Sequence, residues 1–434
     1  MCCGRLKMIT SEPGDNGVVL YRAKWLMPMC SPVVEDGAVL VAGGVIREVG
    51  RWRDLRAGHT VDVEDLGEVV VVPGLINVHA HLDYSGMAGQ LPAPRHFPDW
   101  IKGILALKAE RSYTEYAEEW LQGARMLLKH GTTTVLDIEA VPELLPEVWS
   151  STPLRICSCL ELTGVRSGRD PESMVAEAVD WVEGLPLGRC WAGLSPHAPY
   201  STKAALLRHS ARVARERSWL VTTHVAESVE EFDMYMRGGG AMHDWLKLSG
   251  RDMSDCGGHS PVAWLAEQGV LGGRFIAVHA NYLARGDAEL LARHGVGVAH
   301  CPRSHAYFSH APFSYGLLRK HGVGVALGTD SLASVRCSMR TPAELDLFEE
   351  MRGFAMANPD VGPEEILGMV TTEAARMLGR ESELGALGRG LLADMVVVDV
   401  GSGGGSVASA VLEHRGPVKR VMIGGSWVFG EEAG

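Results

Sequence analysis

The stretch VVPGLINVHAHLDYSG closes an apolar, β-branched run with two histidines one residue apart, His79 and His81. In an extended chain residues i and i+2 face the same side, so both imidazoles point to one place. Two converging neutral imidazoles suit a metal ion. His-x-His alone is a common chance pattern, but further apolar runs end in the same way: His197 in SPHAPYS, His224 and Glu227 in HVAES, His279 in VHANYL, His300 in AHCPRSH and Asp330 in GTDS. Taken singly, each reads as a satisfied core residue or, for Asp330 ahead of Ser331, as a helix N-cap. Taken together they offer the imidazoles and the carboxylate that hold a borderline divalent cation with one position open for water. Such an ion lowers the pKa of its water, so that hydroxide is available near neutral pH, and a nearby carboxylate can move protons.

Something must bring these residues to one place. The middle of the chain alternates apolar runs with amphipathic helical stretches such as YAEEWLQGARMLLKHG and STKAALLRHSARVARERS. The runs are GLINVHAHLD, GTTTVLDIEA, LRICSCLELTG, CWAGLSPHAPY, WLVTTHVAES, RFIAVHANYL, GVGVAHCPRSH and GVGVALGTDSLAS, eight in all. Parallel strands buried on both faces read as continuous apolar runs. Eight strand–helix units close into a barrel, whose active site lies at the carboxyl ends of the strands, and the polar residues named above stand at those ends. Residues 17–73 and the tail from ADMVVVDV to PVKRVMIGGSWVFG read instead as short strands between turns, neither set large enough for a sheet core alone. The expected fold is α/β: a (β/α)8 TIM-like barrel over residues 74–384, with a small β-sandwich built from both chain ends, residues 1–73 plus 385–434.

At this level of detail the chain resembles the amidohydrolase superfamily, in its metal-dependent deaminase/chlorohydrolase (ATZ/TRZ-like) branch. PGLINVHAHLD, SPHAPYS, HVAES, AHCPRSH and LGTDSLAS occur in that family's order, and TTEAARMLG and LGRGLLADMVVVD match the way such chains re-enter the sandwich. The resemblance covers nearly the whole chain. It implies that His79, His81, His224 and Asp330 are the metal ligands and that Glu227 is the proton shuttle. It also implies that His279 orients the attacking hydroxide and polarises the carbon under attack, and that His197 contacts the substrate. Asp330 can hold the second proton of the water. Binuclear members of the superfamily carry a bridging carboxylated lysine on the fourth strand. CWAGLSPHAPY has no lysine, and Lys203 lies beyond it, so one divalent ion is expected, Zn2+ first and Fe2+ as the alternative. His300 is expected in a supporting position rather than as a ligand. Relatives with CPRS more often continue with Asn; the His305 found here resembles the aminofutalosine side of the branch, and the chain looks closest to aminofutalosine and S-adenosylhomocysteine deaminases.

The activity this resemblance implies is that of an aminohydrolase. It would remove an exocyclic amino group from a purine or related amino-heterocycle as ammonia, by attack of a metal-bound hydroxide. The single expected substrate is aminodeoxyfutalosine, in menaquinone biosynthesis. Trp100, Glu161 and Arg303 join His197 as expected substrate contacts. Glu139 and Glu161 fall near the ends of the second and third runs. Met234, Tyr235, Met242 and Trp245, like Trp100, lie in long segments after the first and fifth runs and could stack on a flat ring; RGGG at 237–240 reads as a lid hinge or a turn. One alternative is hydrolysis of C–Cl, C–S or cyclic amide bonds on the same barrel. Chloride leaves without protonation, so an acid at Glu227 is then less needed. The other is a catalytically silent binding protein, against which stands the presence of all six core residues.

Composition sets the remaining bounds. The 434 residues suit a barrel-sized domain and an accessory one, and 46% apolar with 22% charged residues is ordinary for a soluble globular chain. A net charge of −12 argues against nucleic acid and anionic membranes as partners, since both need a basic surface. The expected partner is a small heterocyclic substrate, with a homodimer by analogy. The nine cysteines are scattered without a C-x-x-C pair, which fits a reducing compartment. Cys2 and Cys3 have no apolar segment beside them, and no run approaches the roughly 20 residues that span a bilayer. The expected location is the cytoplasm.

Overall fold

Eight parallel strands form one sheet in strict chain order, in a computed structural model that describes residues 17–92, 96–165, 168–337, 342–399 and 405–430. Cys2, Cys3 and most of the Gly/Ser loop at 401–406 lie outside the described residues. The described chain divides into two units. One lies within Met1–Ile76, Arg125–Thr134 and Pro359–Gly434, the other within Asn77–Ala124 and Val135–Asn358.

The first unit contains strands β1 (Val19–Leu26), β2 (Val34–Ala42), β3 (Val45–Arg51), β4 (Asp62–Asp65) and β5 (Val69–Pro73) from the early chain. The barrel sheet consists of β6 (Leu75–Ala80), β7 (Thr132–Glu139), β8 (Arg155–Leu162), β9 (Trp191–Pro196), β10 (Val221–Val225), β11 (Phe275–His279), β12 (Gly297–His300) and β13 (Val325–Leu327). From the late chain come β14 (Met395–Asp399), β15 (Arg420–Ile423) and β16 (Ser426–Phe429). The two ends of the chain join in one separate sheet, ordered β16-β15-β14-β5-β1-β2-β3, with β4 also paired to β1. The joining pair is antiparallel, with Val71 opposite Val397 and Val72 opposite Val396. β5 is apolar along its length and β14 up to its last residue, Asp399; Leu26, Val39, Ile46, Val71, Met395 and Val397 pack in one core. Neither end supplies enough apolar surface for such a core by itself.

All eight apolar runs of the middle chain are strands of the barrel sheet. β7 and β10 are buried at every position, as strands covered on both faces must be. The helices between them bury one stripe each. In Ala204–Arg217, Leu207, Ser210, Ala211 and Ala214 are buried, while Arg208, Arg212 and Arg215 face solvent, the spacing of an amphipathic helix.

The seam between the last strand and the first has its own construction. Ala80 bridges Asp330 in parallel, and the Asp330 amide donates to the His79 carbonyl at 3.0 Å. The Asn77 side chain completes the seam. Its Nδ2 donates to Thr329 Oγ1 at 2.8 Å, and its Oδ1 accepts from the amides of Thr329 and His79, both at 3.2 Å. Gly328 allows the approach: a Cβ there would stand 2.7 Å from the His79 carbonyl oxygen and 2.8 Å from its Cβ. Among the described residues no helix is long and apolar enough to cross a membrane.

Candidate active site

Every histidine and carboxylate expected to work together stands at or just past the carboxyl end of a barrel strand. His79 lies in β6 and His81 one residue beyond it; His224 lies in β10, with Glu227 past its end; His279 ends β11, and Asp330 follows β13. All six are buried. The backbone is strained where they are presented. Ala226, His279, Ala280 and Asp330 adopt left-handed φ values of 50°, 72°, 46° and 54°, a region that costs non-glycine residues energy and that clusters at functional sites.

The side chains converge. His81 Nε2 is 3.4 Å from His224 Nε2; Asp330 Oδ1 is 3.6 Å from His79 Nε2 and 3.8 Å from His81 Nε2. Ligand atoms of His79, His224 and His279 lie within 4.8 Å of one another, as do those of Glu227, His279 and Asp330. Imidazole and carboxylate ligands at about 2.0–2.2 Å around a tetrahedral zinc lie roughly 3.3–3.6 Å apart, close to the separations between His79, His81, His224 and Asp330.

Proton positions point the same way. His224 Nδ1 lies 2.9 Å from the carbonyl of His197 and must donate to it, which leaves a lone pair on Nε2 aimed into the cluster. Both ring nitrogens of His79 and Nε2 of His279 are buried without a hydrogen-bond partner, a costly state for polar atoms unless something else binds them. Burial, aided by the neighbouring histidines, lowers His224 to about 3 and holds His81 and His279 well below the usual imidazole range, so all three are neutral donors. Asp330 is held well below the usual carboxylate range: burial opposes this, but the imidazoles set around it, His79 first and then His279 and His81, outweigh it. Its oxygens also accept from the Ser331 amide at 2.7 Å and Ser334 Oγ at 3.1 Å. Glu227, by contrast, is pushed well above the carboxylate range by burial, then by Asp330 and Glu231. It faces His279 Nε2 at 3.5 Å.

A cavity of about 290 Å³ opens onto this cluster, with His81, His224, Glu227 and Asp330 in its wall. Its apolar lining comes from Trp100, Ile101, Ile104, Leu105, Trp245 and Leu246. Trp100 is fixed by its Nε1–H on the Ala333 carbonyl at 3.2 Å and by edge contact with Phe308. Its polar lining comes from Tyr84, Lys108, Glu161, His197 and Tyr200. His197, Trp100 and Glu161 are therefore placed together in the cavity wall.

Arg303 is not. Its guanidinium pairs with buried Glu350 and donates to the Glu344 carbonyl at 2.9 Å, away from the cavity lining. The physical reason is that a buried guanidinium takes the carboxylate available in its own surroundings. Met234, Tyr235 and Met242 are fully buried and do not line the cavity; Tyr235 packs against Trp264. Gly238, left-handed, ends one helix, and Gly240 precedes the next, so the RGGG stretch is a helix-to-helix turn. Glu139 accepts from the Val141 amide at 2.6 Å and lies outside the cavity lining. His300 stacks on Phe313 at 3.8 Å and belongs to none of the ligand groups.

Sequence reasoning missed three residues here: Lys108, on the helix Phe97–Glu110; Tyr84, stacked on His81 at 5.0 Å; and Asn281, whose Nδ2 donates to the Glu227 carbonyl at 2.9 Å. The only signal for Asn281 is its place two residues after His279. Lys108 carries none, since a helix lysine is ordinarily a solvated one.

The pattern of the amidohydrolase family matches residues 70–428. A 5-methylthioadenosine/S-adenosylhomocysteine deaminase of Thermococcus onnurineus (strain NA1) is 30% identical over 375 residues, covering 83% of this chain and 80% of that protein. An adenosine deaminase of Xanthomonas campestris, solved with bound zinc, superposes with a TM-score of 0.81 at 24% identity, covering 94% of this chain and 92% of its own. The aminofutalosine deaminase of Helicobacter pylori, in complex with methylthio-coformycin, gives 0.80 at 21% identity, covering 94% of this chain and 100% of its own. At those identities the two solved structures speak for the fold.

Proposed function

This chain belongs to the amidohydrolase family, and on that premise we propose a mechanism in which one divalent metal ion and the residues converging at the strand ends remove an amino group. The chain is a hydrolase of C–N bonds, an aminohydrolase acting on an amino-heterocycle. The observation that carries the mechanism is the close approach of buried lone pairs: His81 and His224 Nε2 at 3.4 Å, with His79 and Asp330 beside them. Neutral imidazoles and an anionic carboxylate placed this way repel or go unsatisfied unless a cation lies between them. The donor set fits zinc, with ferrous iron as the second choice.

When bound, the ion supplies a water of lowered pKa as nucleophile. The remaining work falls to side chains. His279 holds the attacking oxygen against the reacting carbon. Glu227 takes one proton from the water and delivers it to the ring nitrogen beside that carbon. A carboxyl raised well above its ordinary range by its buried surroundings holds a proton readily and can deliver it. Asp330 takes the second proton and passes it to the amino group, which leaves as ammonia while oxygen takes its place on the ring. The apolar wall with Trp100 and Trp245 receives the flat or apolar part of the substrate, and His197 and Glu161 contact its polar edge. Residues 74–384 carry this chemistry.

Within the class we put forward an aminopurine nucleoside, with aminodeoxyfutalosine first, acted on in the cytoplasm by a homodimer. Ammonia release from a panel of aminopurine nucleosides that includes aminodeoxyfutalosine, run with metal quantification, tests the reading. It expects about one ion per chain and turnover of at least one member. Two ions per chain, or ammonia from none of them, would overturn it.

A further inference from the structure

Glu227 stands between the end of β10 and the helix Val229–Arg237, in a stretch that belongs to neither. Its peptide groups therefore lie outside any ladder, and in a buried residue they need other partners. Both find them in buried side chains. The Glu227 amide donates to Glu231 Oε2 at 2.9 Å, and the Glu227 carbonyl accepts from Asn281 Nδ2 at 2.9 Å. The preceding Ala226 has a left-handed φ of 50°, a state that persists only where the surroundings over-determine it. Its carbonyl accepts from the amides of Asn281 at 3.1 Å and Tyr282 at 3.3 Å.

Asn281 is fixed in turn. A carbonyl oxygen only accepts, so the Asn281 amide nitrogen faces Glu227 and its oxygen faces His305 Nδ1, 3.0 Å away. That oxygen also only accepts, which places a proton on His305 Nδ1. The orientation of the amide and the site of the proton thus both follow from one backbone carbonyl. His305 lies on the helix Pro302–Tyr307, with the rings of His300 and His310 edge-on at 5.3 and 5.4 Å. The row crosses the ends of three neighbouring strands: Glu227 after β10, Asn281 after β11 and His305 after β12. Asn281 and His305 stand behind the cavity lining; Glu227 is in it, 3.5 Å from His279 Nε2.

We propose that Asn281 and His305 are positioning residues for the proton shuttle. Through the Glu227 carbonyl they hold its backbone so that the carboxyl stays between the attacking oxygen and the ring nitrogen. This rests on the deaminase reading, which gives Glu227 its task. Neither residue touches the substrate: His305 acts through Asn281, and Asn281 through Glu227. A Glu227 peptide free to rotate would swing the carboxyl off its line, and a misplacement of about 1 Å can cost a reaction about 10²-fold.

The test is a cycle of variants read as kcat and KM for ammonia release from adenosine and aminodeoxyfutalosine. His305→Phe keeps a ring but has no N–H. Its kcat should fall by about 3–10-fold, the rate equivalent of one buried hydrogen bond, with KM unchanged. His305→Asn carries an amide nitrogen on the same Cγ as the lost Nδ1 and should recover most of the loss. In a Glu227→Gln background, His305→Phe should cost less than about 2-fold, because the group it positions no longer transfers protons. An equal fall in both backgrounds, or an unchanged kcat in the first, overturns the proposal. Asn281→Asp keeps the side chain's shape and sets an oxygen against the Glu227 carbonyl; it runs through the same cycle if His305→Phe fails to fold. If the wild type deaminates neither nucleoside nor any other of the panel, the deaminase reading fails. A crystal structure of His305→Phe or Asn281→Asp then decides the positioning by itself. The Glu227 carboxyl should leave its place 3.5 Å from His279 Nε2, and an unmoved carboxyl overturns the proposal.

Discussion

Replacing Gly328 with alanine should loosen the metal site without touching any ligand. The added Cβ would stand 2.7 Å from the His79 carbonyl oxygen, 2.9 Å from its amide nitrogen and 2.8 Å from its Cβ. Ordinary contact begins at about 3.4 Å, so something must retreat by about 0.5–0.7 Å. None of the three crowded atoms is the end of a flexible side chain. They are the backbone and Cβ of His79, a proposed ligand, in a strand stitched to the crowded segment by Asn77 and by the Asp330 amide. The displacement therefore passes to the His79 ring, and a metal site tolerates only about 0.2 Å in its bond lengths. Overpacking of this kind costs about 1–3 kcal/mol of stability. Metal affinity should fall by roughly 10–100-fold, the usual effect of disturbing what orients a ligand. Competition against a chromophoric chelator measures the affinity, and thermal melts of metal-free and metal-loaded protein separate the two effects. Gly272→Ala is the control, because a Cβ there meets nothing within 4 Å. If Gly328→Ala binds metal within about 2-fold of wild type, the reasoning that couples the seam to the site is wrong.

Three further substitutions probe other links. Glu227→Gln keeps the size and hydrogen-bonding capacity of the side chain but not its basicity; turnover should fall by roughly 10²–10⁴-fold with metal content unchanged, and near wild-type deamination would remove Glu227 from the proton path. His79→Ala should lose metal and activity together, as elemental analysis and ammonia release would show, whereas an inactive variant that keeps a full ion would dismiss His79 as a ligand. Asn77→Ala leaves Thr329 and the His79 amide short of buried partners, so chemical denaturation should report a loss of about 1–3 kcal/mol; an unchanged midpoint would mean that water or relaxation satisfies the seam.

The barrel was legible because its strands are buried on both faces. Burial of that kind writes a continuous apolar run into the sequence, and a polar residue ending such a run is conspicuous by contrast. His79, His81, His224, His279 and Asp330 could be picked out for that reason, and the topology of parallel strands sends all their carboxyl ends to one side. Pairing between distant chain segments leaves no such mark. Arg303 looked free as part of CPRS because Glu350 stands 47 residues away, and only the fold sets the two side by side. Lys108 looked like a solvated helix lysine, yet Tyr84 and Glu161, each on a different element, draw it into the cavity wall. Gly328 and Asn77 were ordinary residues in apolar runs until closure of the sheet brought the eighth strand against the first. Local pattern thus determined which residues are strand, which are helix and which strand ends carry histidines and carboxylates, since burial and periodicity act on neighbours in the chain. Tertiary structure alone decided which charges neutralise each other and which stand in the cavity wall, since that depends on contacts no local pattern encodes.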